Sequence, residues 1–353
     1  VRDSFGEFLT HADYVANEFS YYNITSGFFT SLNLPMYSIV EVGIHYAPLT
    51  HFNYHYFEEV RAPMSGIYED EWRNNEIPNK DPYIGSHQLN IDGSLMVTSF
   101  GSGIQLDMLR DFGLCIGGGI NIIQAAQIKD GVEVDTLNSD DVTNLSKLPD
   151  VNIKSELPTT NFITFSATMN LTSNIQFGVS WEEEAKSTTT QYLLNTDSTN
   201  GLFQYFYDSS YVVSGLNYMK PGINSLALSF ISDKENMMSI NFEFNHVIYN
   251  KHLNLDDYNQ YKFGFEYLTQ MGTPIRGGLI YRQATIPAIK PVSIFTFGSG
   301  KSIGNLIIDA AGTYCFQSFS YPDLFPVEGD IRTNFDLVRD SQLNLQLGLT
   351  YKF

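Results

Sequence analysis

The feature that most constrains this chain is its last eleven residues, Leu343-Asn344-Leu345-Gln346-Leu347-Gly348-Leu349-Thr350-Tyr351-Lys352-Phe353. Odd positions are apolar or aromatic and even positions are polar or glycine, the period of a β-strand with one oily and one wet face. A helix would scatter that pattern around its axis. A tilted strand of about ten residues crosses a bilayer. The same alternation recurs along the chain. Val40, Val42, Ile44 and Tyr46 alternate with Glu41, Gly43 and His45; Ile163, Phe165, Ala167 and Met169 are followed by a turn at Thr172-Ser173-Asn174 and then by Ile175, Phe177, Val179 and Trp181. Leu226, Leu228 and Phe230 precede Ile240, Phe242 and Phe244, and Phe263, Phe265 and Tyr267 precede Ile275, Leu279 and Tyr281.

No stretch approaches eighteen consecutive apolar residues, so a helical span is excluded. Lipid leaves the edge groups of an open sheet unsatisfied, so strands that cross must close into a barrel. Composition fits that geometry: aromatics are 14% of the chain and charged residues only 17%, below the quarter or so usual in soluble domains. The net charge of −19 argues against nucleic acid, whose phosphates need Lys and Arg. Acid clusters such as Glu69-Asp70-Glu71 and Asp140-Asp141 read as solvated loop charge.

The fold expected is all-β, a transmembrane antiparallel up-and-down barrel of about fourteen strands, occupying residues 1–353 as one domain. Gly101-Ser102-Gly103 reads as a turn, and Lys129 to Thr160 as a long outward loop. Glycines at 117 and 119, alternating with Ile116 and Ile120, would weaken a soluble strand; on a barrel's inner face they leave room for a ligand or a plug. A soluble sandwich is the alternative fold. Charged wet faces weigh against it, because a dry core has no place for unpaired charge.

The charges that fall opposite the oily face are Glu41, Asp92, Glu243, Lys262, Glu266, Arg276, Arg282 and Asp309. Lys or Arg facing lipid at mid-depth costs about 2–4 kcal/mol, so the phase assigns these side chains to the lumen, as a polar network holding a plug or lining a path, or as ordinary barrel filling. No metal site is expected. His51 and His55 lie on one strand face with Asn53, and period-two spacing separates successive ligands by about 6–7 Å. Gly300-Lys301-Ser302 lacks the first glycine of a phosphate loop, since Phe295 stands there. Extended to Gly304 it spells a nucleophile elbow, but a strand pattern follows instead of a helix. No cofactor is expected, and no enzyme activity, although a membrane hydrolase could assemble a site from distant strands.

Three further units occur in order: Tyr261-Lys262-Phe263-Gly264-Phe265-Glu266-Tyr267, Ile275-Arg276-Gly277-Gly278-Leu279-Ile280-Tyr281, and Phe295-Thr296-Phe297-Gly298-Ser299-Gly300 followed by Ile307-Ile308-Asp309-Ala310-Ala311. Over roughly Ser38 to Phe353 this order resembles the FadL superfamily of bacterial long-chain fatty-acid transporters, which includes the PorV-like barrels. The terminal Phe353 is similar to the C-terminal signature of bacterial outer-membrane barrels. The resemblance implies a fourteen-stranded barrel with an N-terminal hatch, although no Asn-Pro-Ala hatch segment precedes Ser38. It implies the bacterial outer membrane as location, with lipid and lipopolysaccharide as surroundings, and passive uptake of hydrophobic small molecules, fatty-acid-like or aromatic. The alternative it carries is a non-conducting accessory barrel, PorV-like, bound to a larger outer-membrane secretion or envelope complex.

Overall fold

The computed structural model describes residues 24–34, 38–61, 83–106, 113–136, 151–195, 212–213, 217–232, 238–250, 255–286, 289–322 and 335–352. Regular structure among them is entirely β. In chain order the strands are β1 (Ser26–Leu34), β2 (Ser38–His51), β3 (Tyr54–Arg61), β4 (Tyr83–Leu106), β5 (Leu114–Ile123), β6 (Ala126–Thr136) and β7 (Val151–Leu157). Then come β8 (Thr160–Asn170), β9 (Ile175–Glu182), β10 (Ala185–Thr188), β11 (Thr190–Asn195), β12 (Val212–Val213), β13 (Asn217–Lys220) and β14 (Gly222–Ile231). The last six are β15 (Met238–Ile248), β16 (Tyr258–Leu268), β17 (Pro274–Arg282), β18 (Val292–Ile303), β19 (Leu306–Pro322) and β20 (Phe335–Tyr351).

Thirteen of these form a continuous antiparallel wall, β1-β2-β4-β5-β8-β9-β14 and then β15 through β20 in sequence order. Connections are short at one end, such as Thr172-Ser173-Asn174 and the positive-φ glycines Gly272 and Gly304, and long at the other. That asymmetry is the barrel rule of short inner turns and long outer loops. β1 and β20 both run toward the short-turn end, so direct antiparallel pairing between them is geometrically excluded.

The expected phase holds. Phe263, Phe265, Phe295, Phe297, Leu345 and Leu347 stand exposed on the outward face, while Lys262, Glu266, Gly298 and Gln346 occupy the opposite one. Two expectations are corrected. Gly101-Ser102-Gly103 is not a turn: β4 runs straight through it, pairing Gly101 with both Gly43 and Gly119. Those glycines need no turn backbone and have no positive φ; they share the inner face with other small residues. Lys129 to Thr160 is not wholly loop, because β6 and β7 extend the wall strands outward at both its ends. The acid clusters at 69–71 and 140–141, and Phe353, lie outside the described residues.

Beyond the wall, β4 continues outward and pairs with β3 and β6, and β6, β7, β11 and β12 pair in turn. This extension bends at Pro48–Thr50, where the β2–β4 register slips. The bend turns apolar side chains inward across the outer mouth. Leu95, Val97, Ile123, Leu157, Phe162 and Ala185 form a buried cluster there, with Leu49, Phe52, Ala126, Ile128 and Tyr218 packed against it.

Candidate functional site

Below that cluster the inner wall is lined by residues almost without side chains. Gly101, Gly117, Gly119, Ser166 and Ser180 there line a recess of about 420 Å³, whose lining also takes in Phe100, Phe165 and Trp181 from the outward-facing positions of the same strands. Smallness has two causes here. At Gly119 a Cβ would lie 3.0 Å from the carbonyl oxygen of Phe100, so any larger residue would push the neighbouring strand by a few tenths of an ångström; at Gly101 it would meet nothing nearer than 3.8 Å, so the missing side chain only opens space. Asn121 is held at the recess rim by its amide, which donates to the carbonyl of Phe162 at 3.4 Å.

A different structure lies at the mouth. Among the described residues β10 and β13 pair with each other and not with the wall, Ala185 opposite Lys220 and Ser187 opposite Tyr218. Tyr218 meets Phe52 edge-on with ring centroids 6.1 Å apart. Burial pushes its phenol up to about 12, and the nearby Tyr249 adds to the shift. Phe52 follows β2 and Tyr249 follows β15, which stand six strand steps apart in a wall of thirteen described strands. Tyr218 thus packs on one side of the mouth at Phe52 and feels a residue that follows β15 on the far side. Tyr249 stacks on Tyr258 at 6.3 Å and extends the aromatic layer to β16.

Lys220 fixes this cap to the wall. Its ammonium is buried yet fully served: Nζ lies 3.0 Å from Glu182 Oε2, donates to the carbonyls of Glu183 at 3.3 Å and Pro221 at 3.0 Å, and sits 4.3 Å above the Phe162 ring. A buried cation is tolerated only with such a complement of partners. Residue order alone offers little warning of it. Lys220 sits between Met219 and Pro221 beside an aromatic stretch without clear alternation.

The charges expected in the lumen divide into groups. Lys262 Nζ and Glu243 Oε1 are 2.7 Å apart across β15 and β16. Arg276 donates through Nε to Glu266 and through Nη1 to Asp309, the latter at 2.7 Å, joining β16, β17 and β19. Glu41 accepts from Ser31 at 3.2 Å on the far side of the wall. Arg282 lies at the outer rim opposite Gln260 and Val292. Asp92 stands apart from all of these. It lies in the outward extension opposite Lys129, two residues before the wall segment of β4 and on the face opposite that of Leu95 and Val97. Ser302 pairs with Ile307 in a strand hairpin that turns at Gly304, so no helix follows it. His55 Nδ1 lies 2.7 Å from Asn90 Oδ1. Cys115 and Cys315 are free thiols.

A wall of amphipathic antiparallel strands, oily outside and polar within, defines a membrane-type β-barrel. No protein-family model matches the chain, and no curated protein is significantly similar in sequence. Solved structures place the barrel more closely. A FadL homologue from Pseudomonas aeruginosa superposes with a TM-score of 0.53 at 11% identity, over 92% of this chain and 77% of that one. The toluene transporter TbuX from Ralstonia pickettii gives 0.53 at 12% identity, over 93% and 80% respectively. The fold is that of the FadL-type outer-membrane barrels.

Proposed function

We propose that this protein is a passive route for hydrophobic small molecules across a bacterial outer membrane. The observation that carries the reading is the combination at the outer mouth: a buried apolar and aromatic cluster beside a recess floored largely by glycine and serine. An oily molecule gains about 25 cal/mol for each Å² of surface it moves from water into such a layer, and concave, largely apolar sites are where small ligands bind. The fold shared with a toluene transporter supports the same reading. No covalent chemistry is needed for passage, and the protein acts as a route and not as an enzyme. The outward apolar band would contact outer-membrane lipid, with lipopolysaccharide at the long-loop end. The luminal pairs Lys262–Glu243 and Arg276–Glu266–Asp309 would hold charged side chains against the wall and out of the path. No observation among the described residues favours the accessory-barrel alternative.

Native mass spectrometry of the protein in mild detergent tests this. A monomer that retains or takes up an added monoaromatic or fatty ligand is the expected result. A fixed-ratio complex with a larger protein, with no ligand taken up, would overturn the reading.

A further inference from the structure

We propose that β10 and β13 are a gate across the outer mouth and that Lys220 is its latch; this rests on the transport reading above. Among the described residues the pair's ladder runs between its own two strands and not into the wall. Its joints are short: Glu183-Glu184 after β9, Thr189 between β10 and β11 of the outward extension, and Pro221 before β14. Pro221 has no N–H to add to a ladder, so the sheet cannot run unbroken from β13 into β14. A two-stranded ribbon this short has little stability of its own. Its seat across the mouth depends on what it touches.

What it touches both holds and opposes the closed position. Lys220 contributes the hold, gathering Glu182, two carbonyls and the Phe162 ring around one ammonium. Tyr218 adds the packing against Phe52. Against this, Ser187 Oγ, on the cap itself, is buried with no hydrogen-bond partner among the described residues. A buried polar atom left unpaired is a penalty of the closed state, which lifting the cap into water removes. An element whose polar hold is gathered on one ammonium, and which carries a built-in cost of closure, has the character of a two-position device. The recess lies beneath it, and Glu182, the carboxylate that pairs with Lys220, lines that recess. A molecule entering from outside displaces the element to which the latch is tied.

The test uses the full chain in proteoliposomes, with Cys115 and Cys315 replaced by Ser and with Ser166→Cys in the recess as the labelling site. A large, membrane-impermeant maleimide is the probe. Lys220→Met should raise the labelling rate about tenfold, since it removes at once the hydrogen bonds of a charged donor to Glu182 and two carbonyls, each worth about a decade or more in an equilibrium. A second variant, without the cysteine at 166, carries Phe52→Cys and Tyr218→Cys. Bridging that pair with a short bis-methanethiosulfonate, which joins each thiol through a disulfide, should slow uptake of N-phenyl-1-naphthylamine, and reduction should restore it. Equal labelling in Lys220→Met and its parent, with uptake indifferent to the bridge, overturns the gate while leaving transport standing. Faster labelling in Lys220→Met with no protein-dependent uptake in any form keeps the gate and overturns the transport reading. If Lys220→Met fails to fold, the bridge and its reduction decide alone.

Discussion

Substituting arginine at two adjacent residues of β20 should give opposite results, because the side chains of Leu347 and Gln346 leave the wall on opposite faces. Leu347 is 70% exposed on the outward face, in register with Ala310; Gln346 is in register with Ala311 on the inner face. Along β20, Leu343 lies opposite the outward aromatic Tyr314, and Tyr351 closes the short-turn end. About eight residue steps of strand at about 3.3 Å each, tilted by about 40°, span about 20 Å of membrane normal, close to the apolar band of a barrel. Leu347 falls at its middle. Leu347→Arg should therefore cost about 2–4 kcal/mol, roughly a 30- to 700-fold shift in the folding equilibrium at about 1.4 kcal/mol per decade. Gln346→Arg should cost far less, because the lumen is wet. The assay is reversible urea unfolding from phospholipid vesicles, followed by tryptophan fluorescence and heat-modifiable mobility. Equal destabilisation by both substitutions, or none by Leu347→Arg, would refute the assignment of faces and with it the barrel's orientation to lipid.

Three further outcomes are expected. Gly278→Ala should destabilise the wall, since the new Cβ would lie 2.6 Å from the carbonyl oxygen of Phe263, whereas Gly101→Ala should be near neutral with 3.8 Å of clearance; the same unfolding assay compares them. Tyr218, held up to about 12, should resist ionisation until the other accessible tyrosines have titrated, and difference absorbance against Tyr218→Phe should isolate it. Because its folded value is raised above the ordinary 10, its contribution to stability is complete below pH 10 and is lost as the pH rises toward 12. Phe162→Ala should cost about 3–5 kcal/mol for a buried aromatic and should also loosen the seat of Lys220; thermal unfolding of the variant checks the first effect.

Much of the wall was legible from residue order, because a strand with one face in lipid and one in water must alternate in chemistry as well as in direction. Phe263 to Tyr267 and Leu343 to Tyr351 show that alternation without interruption, and both form strands in that phase. Where both faces of a strand meet something other than lipid or water, the signal fails. Gly101-Ser102-Gly103 resembles a turn because turns and smooth inner walls both favour small residues. Leu95, Val97 and Phe162 share the inner face with Ser99 and Thr164, and no local pattern says that the strands bend until those apolar groups meet. The mouth depends on contacts between residues far apart in sequence, such as Phe52 with Tyr218 and Lys220 with Phe162. Pairing of Lys262 with Glu243, and of Arg276 with Glu266 and Asp309, follows from register as well as phase, and register was not readable. Asp92 shows the limit of phase alone: its place beyond the wall depends on where β4 leaves the membrane.

The most direct measurement is flux. Purified protein reconstituted into vesicles enclosing an absorbing reporter phase should accelerate the entry of a monoaromatic hydrocarbon, with a rate proportional to protein content and no requirement for an energy source. Flux identical to that of protein-free vesicles, from protein shown to be folded by heat-modifiable mobility, would contradict the account.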